Sequence, residues 1–214
     1  MPRYYTRACN FYYGKTSKAL LKKKKTLPLN GHKEISFDHL ELISRKSKKK
    51  ISINQLSSLP KSLKKEIISD LKKITSKKKN FANFNFSELP NIMGVLNLTP
   101  DSFSDGGQFN KKKIGIHHAN EMLLSGARVI DVGGESTRPG SKAISLKVEW
   151  NRINKILKPI CKKFSVSLDT RKSEVMEKGI KLGIKIINDV SGLNYDPKKK
   201  YILKKYNIPF IIQH

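Results

Sequence analysis

The sequence predicts an α/β fold built on a parallel β-sheet, and two observations predict it. Short apolar runs end abruptly in polar residues and glycines, and helix-length segments separate them. The clearest run is Ile92, Met93, Val95, Leu96 and Leu98, apolar on both alternating faces like a strand buried between layers. Thr99, Pro100, Asp101 and Ser102 then stop it. Pro100 has no N–H to give a central ladder, and the Asp and Ser beside it bond to local backbone.

The same grammar recurs in order. Arg128-Val-Ile-Asp-Val-Gly-Gly runs into GESTRPG, and Phe164-Ser-Val-Ser-Leu into Asp169-Thr170. Ile184-Lys-Ile-Ile then runs into Asn188-Asp189-Val-Ser-Gly, and Ile208-Pro-Phe-Ile-Ile into Gln213-His214. Helices are expected over roughly Lys111 to Ser125, Ser145 to Lys163, Lys172 to Leu182 and Lys198 to Tyr206, with Gly126 and Gly183 as C-terminal stops. Alternation of this kind implies right-handed βαβ units, so the polar strand ends share one face. In α/β barrels that face carries the chemistry.

Residues 1–90 are less legible. Tyr4, Tyr5, Phe11, Tyr12 and Tyr13 cluster early, Lys22 to Lys25 follow, and Ile35 to Ile43 alternates only weakly. Leu63, Ile67, Leu71 and Ile74 recur at helical spacing, which predicts one amphipathic helix from about Pro60 to Ile74. Lys77 to Phe86 reads as a linker, so the expected division is an N-terminal extension over 1–90 and a barrel portion over 91–214.

Composition limits the function classes. A mean hydropathy of −0.49 with 37% hydrophobic residues allows a core. No apolar run reaches the ~18 residues of a membrane span, and the N-terminus lacks the apolar stretch of a secretory signal. The two cysteines, Cys9 and Cys161, are far apart and form no CxxC, so a reducing cytoplasm is expected and a zinc site is not. The net charge is +27, with 22 Lys and Arg against 6 Asp and Glu in residues 1–90, and 22 against 11 in residues 91–214. This excess is spread throughout and is nearly all lysine, whereas nucleic-acid surfaces add arginine and interleaved aromatic readers. No specific nucleic-acid partner is therefore expected.

GVLNLTPDSFSDGG, DVGGESTRPG, SLDTRKSEV and INDVSG resemble, in order and spacing, the signature segments of the dihydropteroate synthase family. The likeness covers about Ile92 to His214. It implies a TIM (β/α)8 barrel that condenses 6-hydroxymethyl-7,8-dihydropterin diphosphate with 4-aminobenzoate, uses Mg2+, and is a homodimer at full length. Catalytic roles are implied for Asp101, Asp105 and Arg138. Asn97 is implied at the Mg2+ and diphosphate end, and Phe103 against the aminobenzoate. The resemblance also puts Thr137 and Arg138 near diphosphate and aminobenzoate, Pro139 in the aminobenzoate pocket, and Asp169 and Asn188 on the pterin ring.

The residues themselves leave simpler readings open: Asn97 as a turn cap, Arg138 as a solvated turn residue, Asp169 as a helix N-cap, and Asp131 as a buried support for the site. His117 and His118 read as surface or packing residues. A complete barrel takes about 250 residues, whereas only five strands are predicted here. The chain is therefore expected to be the front of a synthase, inactive alone. A pterin-binding methyltransferase barrel, which has no need of GESTRPG, and a basic nucleic-acid-interacting protein are the alternatives.

Overall fold

The structure, a computed structural model, describes residues 4–88, 90–99, 112–136, 138 and 140–213. The chain divides into two compact units, Met1–Lys79 and Asn80–His214.

In the first unit, β1 (Tyr5–Tyr13), α1 (Gly14–Lys22), β2 (Leu27–Pro28), β3 (Ile35–Ile43) and β4 (Lys48–Ser52) precede a 3-10 turn and α2 (Lys61–Thr75). Strand β3 pairs antiparallel with β1, β2 and β4. The weak alternation of residues 35–43 is thus the pattern of a central strand whose two faces are unequally covered. Phe37, Leu40 and Leu42 are buried with Ile51 of β4 and Ile67 of α2. Ser52 caps the 3-10 turn reciprocally with Gln55, satisfying amides that the turn leaves free.

The second unit holds β5 (Ile92–Asn97), α3 (Lys112–Leu124), β6 (Ala127–Gly133), α4 (Leu146–Ile160), β7 (Val166–Asp169), α5 (Ser173–Leu182), β8 (Ile186–Asp189), α6 (Lys199–Tyr206) and β9 (Phe210–Ile212). Its sheet runs β5-β6-β7-β8-β9, and all four pairings are parallel. The expected βαβ grammar is therefore realised strand by strand. Ser145 caps α4 by accepting from the Val148 amide. Gly183, at φ +101°, ends α5 in the left-handed conformation that a side chain would disfavour.

Side chains alternate across a strand, so the sheet has two distinct faces. Leu96, Val132, Leu168 and Ile187 pack with Ile153, Ile156 and Leu157 of α4, Val175 and Met176 of α5, and Leu203 of α6. That helix-covered face is the core of the unit. The opposite face carries polar residues toward its C-terminal edge, and those residues form the site.

Candidate active site at the strand ends

Register brings the strand-terminal residues into one row. Asn97 pairs with Gly133, Gly133 with Asp169, and Asp169 with Asn188. One row lower, Asp131 pairs with Ser167 on the same face. Asn97, Asp169 and Asn188, expected at three separate strand ends, are thus neighbours across four strands. Gly133 keeps the middle of the row open. A Cβ there would stand 3.2 Å from Asn97 Oδ1, tight enough to push on it, and in ordinary contact with Asp169 Oδ2 at 3.6 Å.

The row is short of donors. Asn188 Nδ2 donates to Asp131 Oδ2 at 2.9 Å, so Asp131 is buried and hydrogen-bonded as expected. Asp131 Oδ1, Asp169 Oδ1 and Asn188 Oδ1 are buried with no hydrogen-bond partner among the described residues. Orphaned buried acceptors cost about 1–3 kcal/mol each, a cost that a ligand bringing N–H groups relieves. The electrostatics agree. Burial pushes the Asp169 carboxyl up to about 7, helped by the nearby carboxylates of Asp131, Glu149, Asp189 and Glu135. Burial also raises Asp131, against the hydrogen bond from Asn188. Two clustered acids that resist ionisation are a feature of functional sites.

The helix-cap reading of Asp169 is excluded. Lys172 stands at the cap of α5 and makes no side-chain capping bond, and the Ser173 amide instead donates to Asp196 Oδ2 at 2.8 Å. Arg138 is exposed on the segment after β6, where its carbonyl closes a turn by accepting from the Ser141 amide at 3.0 Å. Asp101, Phe103, Asp105, Thr137 and Pro139 lie outside the described residues. His117 is exposed and paired with Glu121 on α3, as a surface residue should be.

Several charged residues beside the row escaped the sequence reading. Glu135 accepts from Arg171 Nε at 2.9 Å and Lys172 Nζ at 2.8 Å, and Lys172 Nζ also reaches Glu149 Oε2 at 2.6 Å. Burial works against the Glu135 charge, but hydrogen bonds from Arg171, Lys172 and the Ile144 amide hold its carboxyl down at about 2. Behind β8, Lys199 Nζ donates to Asp189 Oδ2 at 2.6 Å with both side chains fully buried. Glu149 and Lys199 lie in the first turns of α4 and α6, a position that many surface residues share, and Glu135 and Arg171 lie in connections.

Among the described residues no group of three or more His, Cys, Asp and Glu could hold a metal. Asn97 Oδ1 is a single hard oxygen donor at the open row. That donor set fits Mg2+ in the form that keeps its waters and takes the remaining oxygens from a bound phosphate, and does not fit a self-sufficient metal centre. A cavity of about 550 Å³ lined by Arg128, Cys161, Lys162, Ser165 and Lys185 opens at the opposite, N-terminal end of the strands. In barrel folds that end serves stability rather than chemistry.

Known proteins are similar to this chain over the second unit. Over 133 residues the chain is 46% identical to a dihydropteroate synthase of Clostridium beijerinckii, covering 61% of this chain and 49% of the relative. The Anaplasma phagocytophilum dihydropteroate synthase with bound 6-hydroxymethylpterin-monophosphate is 42% identical with a TM-score of 0.52, over 58% of this chain and 48% of the other. The Xanthomonas albilineans enzyme with 4-aminobenzoic acid is 35% identical with a TM-score of 0.54, over 58% and 46%. The chain spans about half the length of the curated relatives it matches. The model of the pterin binding enzyme family matches residues 93–214, more than half of the chain and every strand end that forms the polar row, so this chain belongs to that family.

Proposed function

We propose that these residues are the heterocycle and diphosphate end of a dihydropteroate synthase site. The single observation that carries this reading is the row Asn97, Gly133, Asp169 and Asn188, with its buried acceptors left without donors. A pterin edge presents ring and exocyclic N–H groups side by side. Asp169 and Asn188 accept them, and partial burial strengthens each bond.

In the reaction, the amine nitrogen of 4-aminobenzoate forms a bond to the methylene carbon of the dihydropterin diphosphate as the carbon–oxygen bond to diphosphate breaks. The amine loses a proton and diphosphate leaves. No side chain needs to act as a nucleophile, so the protein contributes alignment and stabilisation of the departing charge. Asp169 and Asn188 fix the ring, and Arg138 brings a planar cation suited to diphosphate or to the aminobenzoate carboxylate. Asn97 would hold Mg2+, which when bound offsets the charge of the leaving diphosphate. Asp101, Asp105, Phe103, Thr137 and Pro139 complete the same reading on the segments after β5 and β6. A homodimer at full length belongs to it as well. A cytoplasmic location is supported by Cys9 and Cys161, both free thiols.

The test is steady-state formation of dihydropteroate from the two substrates by the full-length protein, beside titration with a single-stranded RNA. Turnover with no saturable RNA binding is expected. Tight RNA binding without turnover would overturn the proposal.

A further inference from the structure

Beside the polar row, three distant stretches of the chain are joined by a cluster of buried charges. Glu135 leaves β6 and accepts four hydrogen bonds, from Arg171 Nε at 2.9 Å, Arg171 Nη2 at 3.0 Å, Lys172 Nζ at 2.8 Å and the Ile144 amide at 2.9 Å. Glu149, in the first turn of α4, accepts from Lys172 Nζ at 2.6 Å and Thr170 Oγ1 at 2.5 Å. The Glu149 side chain is fully buried, and those of Glu135 and Lys172 are 4% and 11% exposed. Arg152 of α4 adds a bond to the Gly134 carbonyl at 2.9 Å.

Two features set this cluster apart from an ordinary ion pair. Its carboxylates are matched, Glu135 and Glu149 against Lys172 and Arg171, while Arg152 bonds a carbonyl instead. The cluster also fastens one segment at both ends: Gly134 and Glu135 at the start, Ile144 at the finish. Between these anchors lie Ser136 and Arg138, braced internally by Ser141 Oγ to the Ser136 carbonyl at 2.7 Å. The far side of the clamp, Thr170 to Lys172, directly follows Asp169. Enclosing Glu135, Glu149 and Lys172 is a poor way to gain stability, since well-packed apolar residues commonly do as well. What such a cluster does supply is geometry, and misplacement by about 1 Å can cost about 100-fold in rate.

We propose that Lys172, bridging Glu135 and Glu149, is a positioning residue that fixes the Gly134–Ile144 segment relative to Asp169. It thereby sets how 4-aminobenzoate and diphosphate meet the bound heterocycle. The role in substrate alignment rests on the dihydropteroate synthase reading, whereas the tether itself does not.

The experiment compares Lys172→Met with the unaltered full-length protein by amide hydrogen exchange, then by binding and kinetics. Exchange is expected to quicken about tenfold in peptides covering 134–145, while peptides of β6 and β7 stay within about twofold. The Kd for 6-hydroxymethylpterin should hold within about threefold as the KM for 4-aminobenzoate rises about tenfold. If Lys172→Met does not fold, Glu149→Gln, which keeps the shape and the Thr170 bond while removing one charge, takes its place in every measurement. Unchanged exchange at 134–145, an equal rise throughout β6 and β7, or a pterin affinity that falls as much as aminobenzoate affinity would each overturn the proposal. Failure of the unaltered protein to bind pterin would instead sink the synthase reading, and the exchange pattern would still decide the tether.

Discussion

The two units of this protein use the same charged residues in opposite ways. In the antiparallel unit, Arg7 pairs with Glu41 and Lys18 with Glu34, and the cations are 60% and 54% exposed. Water and salt screen such pairs, so they add little. In the parallel unit, Lys199 and Asp189 have no exposure at all, and Lys172 sits against a fully buried Glu149. The difference follows from the architecture. An antiparallel sheet with one face toward solvent has room at its surface for lysine, whereas a parallel sheet backed by helices forces any charge at a strand's end to be matched inside. Among the described residues, buried ion pairs therefore gather at the C-terminal strand ends of the second unit, and the first unit's pairs stay in water.

The largest expected effect breaks that comparison at its buried side. Lys199→Met leaves Asp189 charged and enclosed, and should lower the unfolding free energy of the second unit by about 3–5 kcal/mol in chemical denaturation. A loss as small as that of an exposed pair would mean water reaches Asp189.

Next come the residues proposed to face ligand. Asp169→Asn should weaken pterin-analogue binding by about 1.5–3 kcal/mol in calorimetry, while the apo protein keeps its transition. Loss of folding with unchanged affinity would return Asp169 to a structural role. Arg138→Ala should lower kcat/KM with 4-aminobenzoate by a similar ~1.5–3 kcal/mol, and unchanged kinetics would remove Arg138 from the site.

The pH dependence sharpens the same contrast. In the ligand-free fold the Asp169 carboxyl titrates at about 7, well above the ordinary 3.8, because of burial and its acidic neighbours. The folded state thus binds the proton more tightly than the unfolded state. This group's contribution to stability is complete below its ordinary value and is lost as pH rises through about 7. A ligand donating N–H to Asp169 favours the ionised form, so binding should release a proton and strengthen as pH rises toward about 7, then level off. Asp169→Asn should flatten that profile, and an unaltered slope in the variant would assign the titration elsewhere. Glu135, held at about 2, behaves in the opposite sense. Its stabilisation is present above its ordinary 4.5 and disappears only as pH falls toward about 2.

The smallest effect is the control. Arg7→Ala should leave the thermal transition of the first unit where it was, since the guanidinium is already in water. A clear shift would show that the antiparallel sheet depends on its charges as the parallel one does.

Much of the second unit is legible in the sequence. An apolar run stopped by Pro100, Asp169 or Asn188 marks a strand and its end through chemistry confined to a few neighbouring residues, and the intervening helices declare themselves through spacing and glycine stops such as Gly183. The first unit was less readable because the two faces of β3 differ little in polarity along the chain. Phe37, Leu40 and Leu42 become its core only once β1, β4 and α2 are in place. What no local pattern contains is register. That Asn97, Gly133, Asp169 and Asn188 stand in one row, and that Lys172 lies between Glu135 and Glu149, are facts about residues far apart in sequence. A glutamate in a helix's first turn has the same neighbours in the chain whether it faces solvent or a buried lysine. Only the packing of α4 and α5 against the sheet takes the water away, and with it decides which charges are held for structure and which acceptors are left waiting for a ligand.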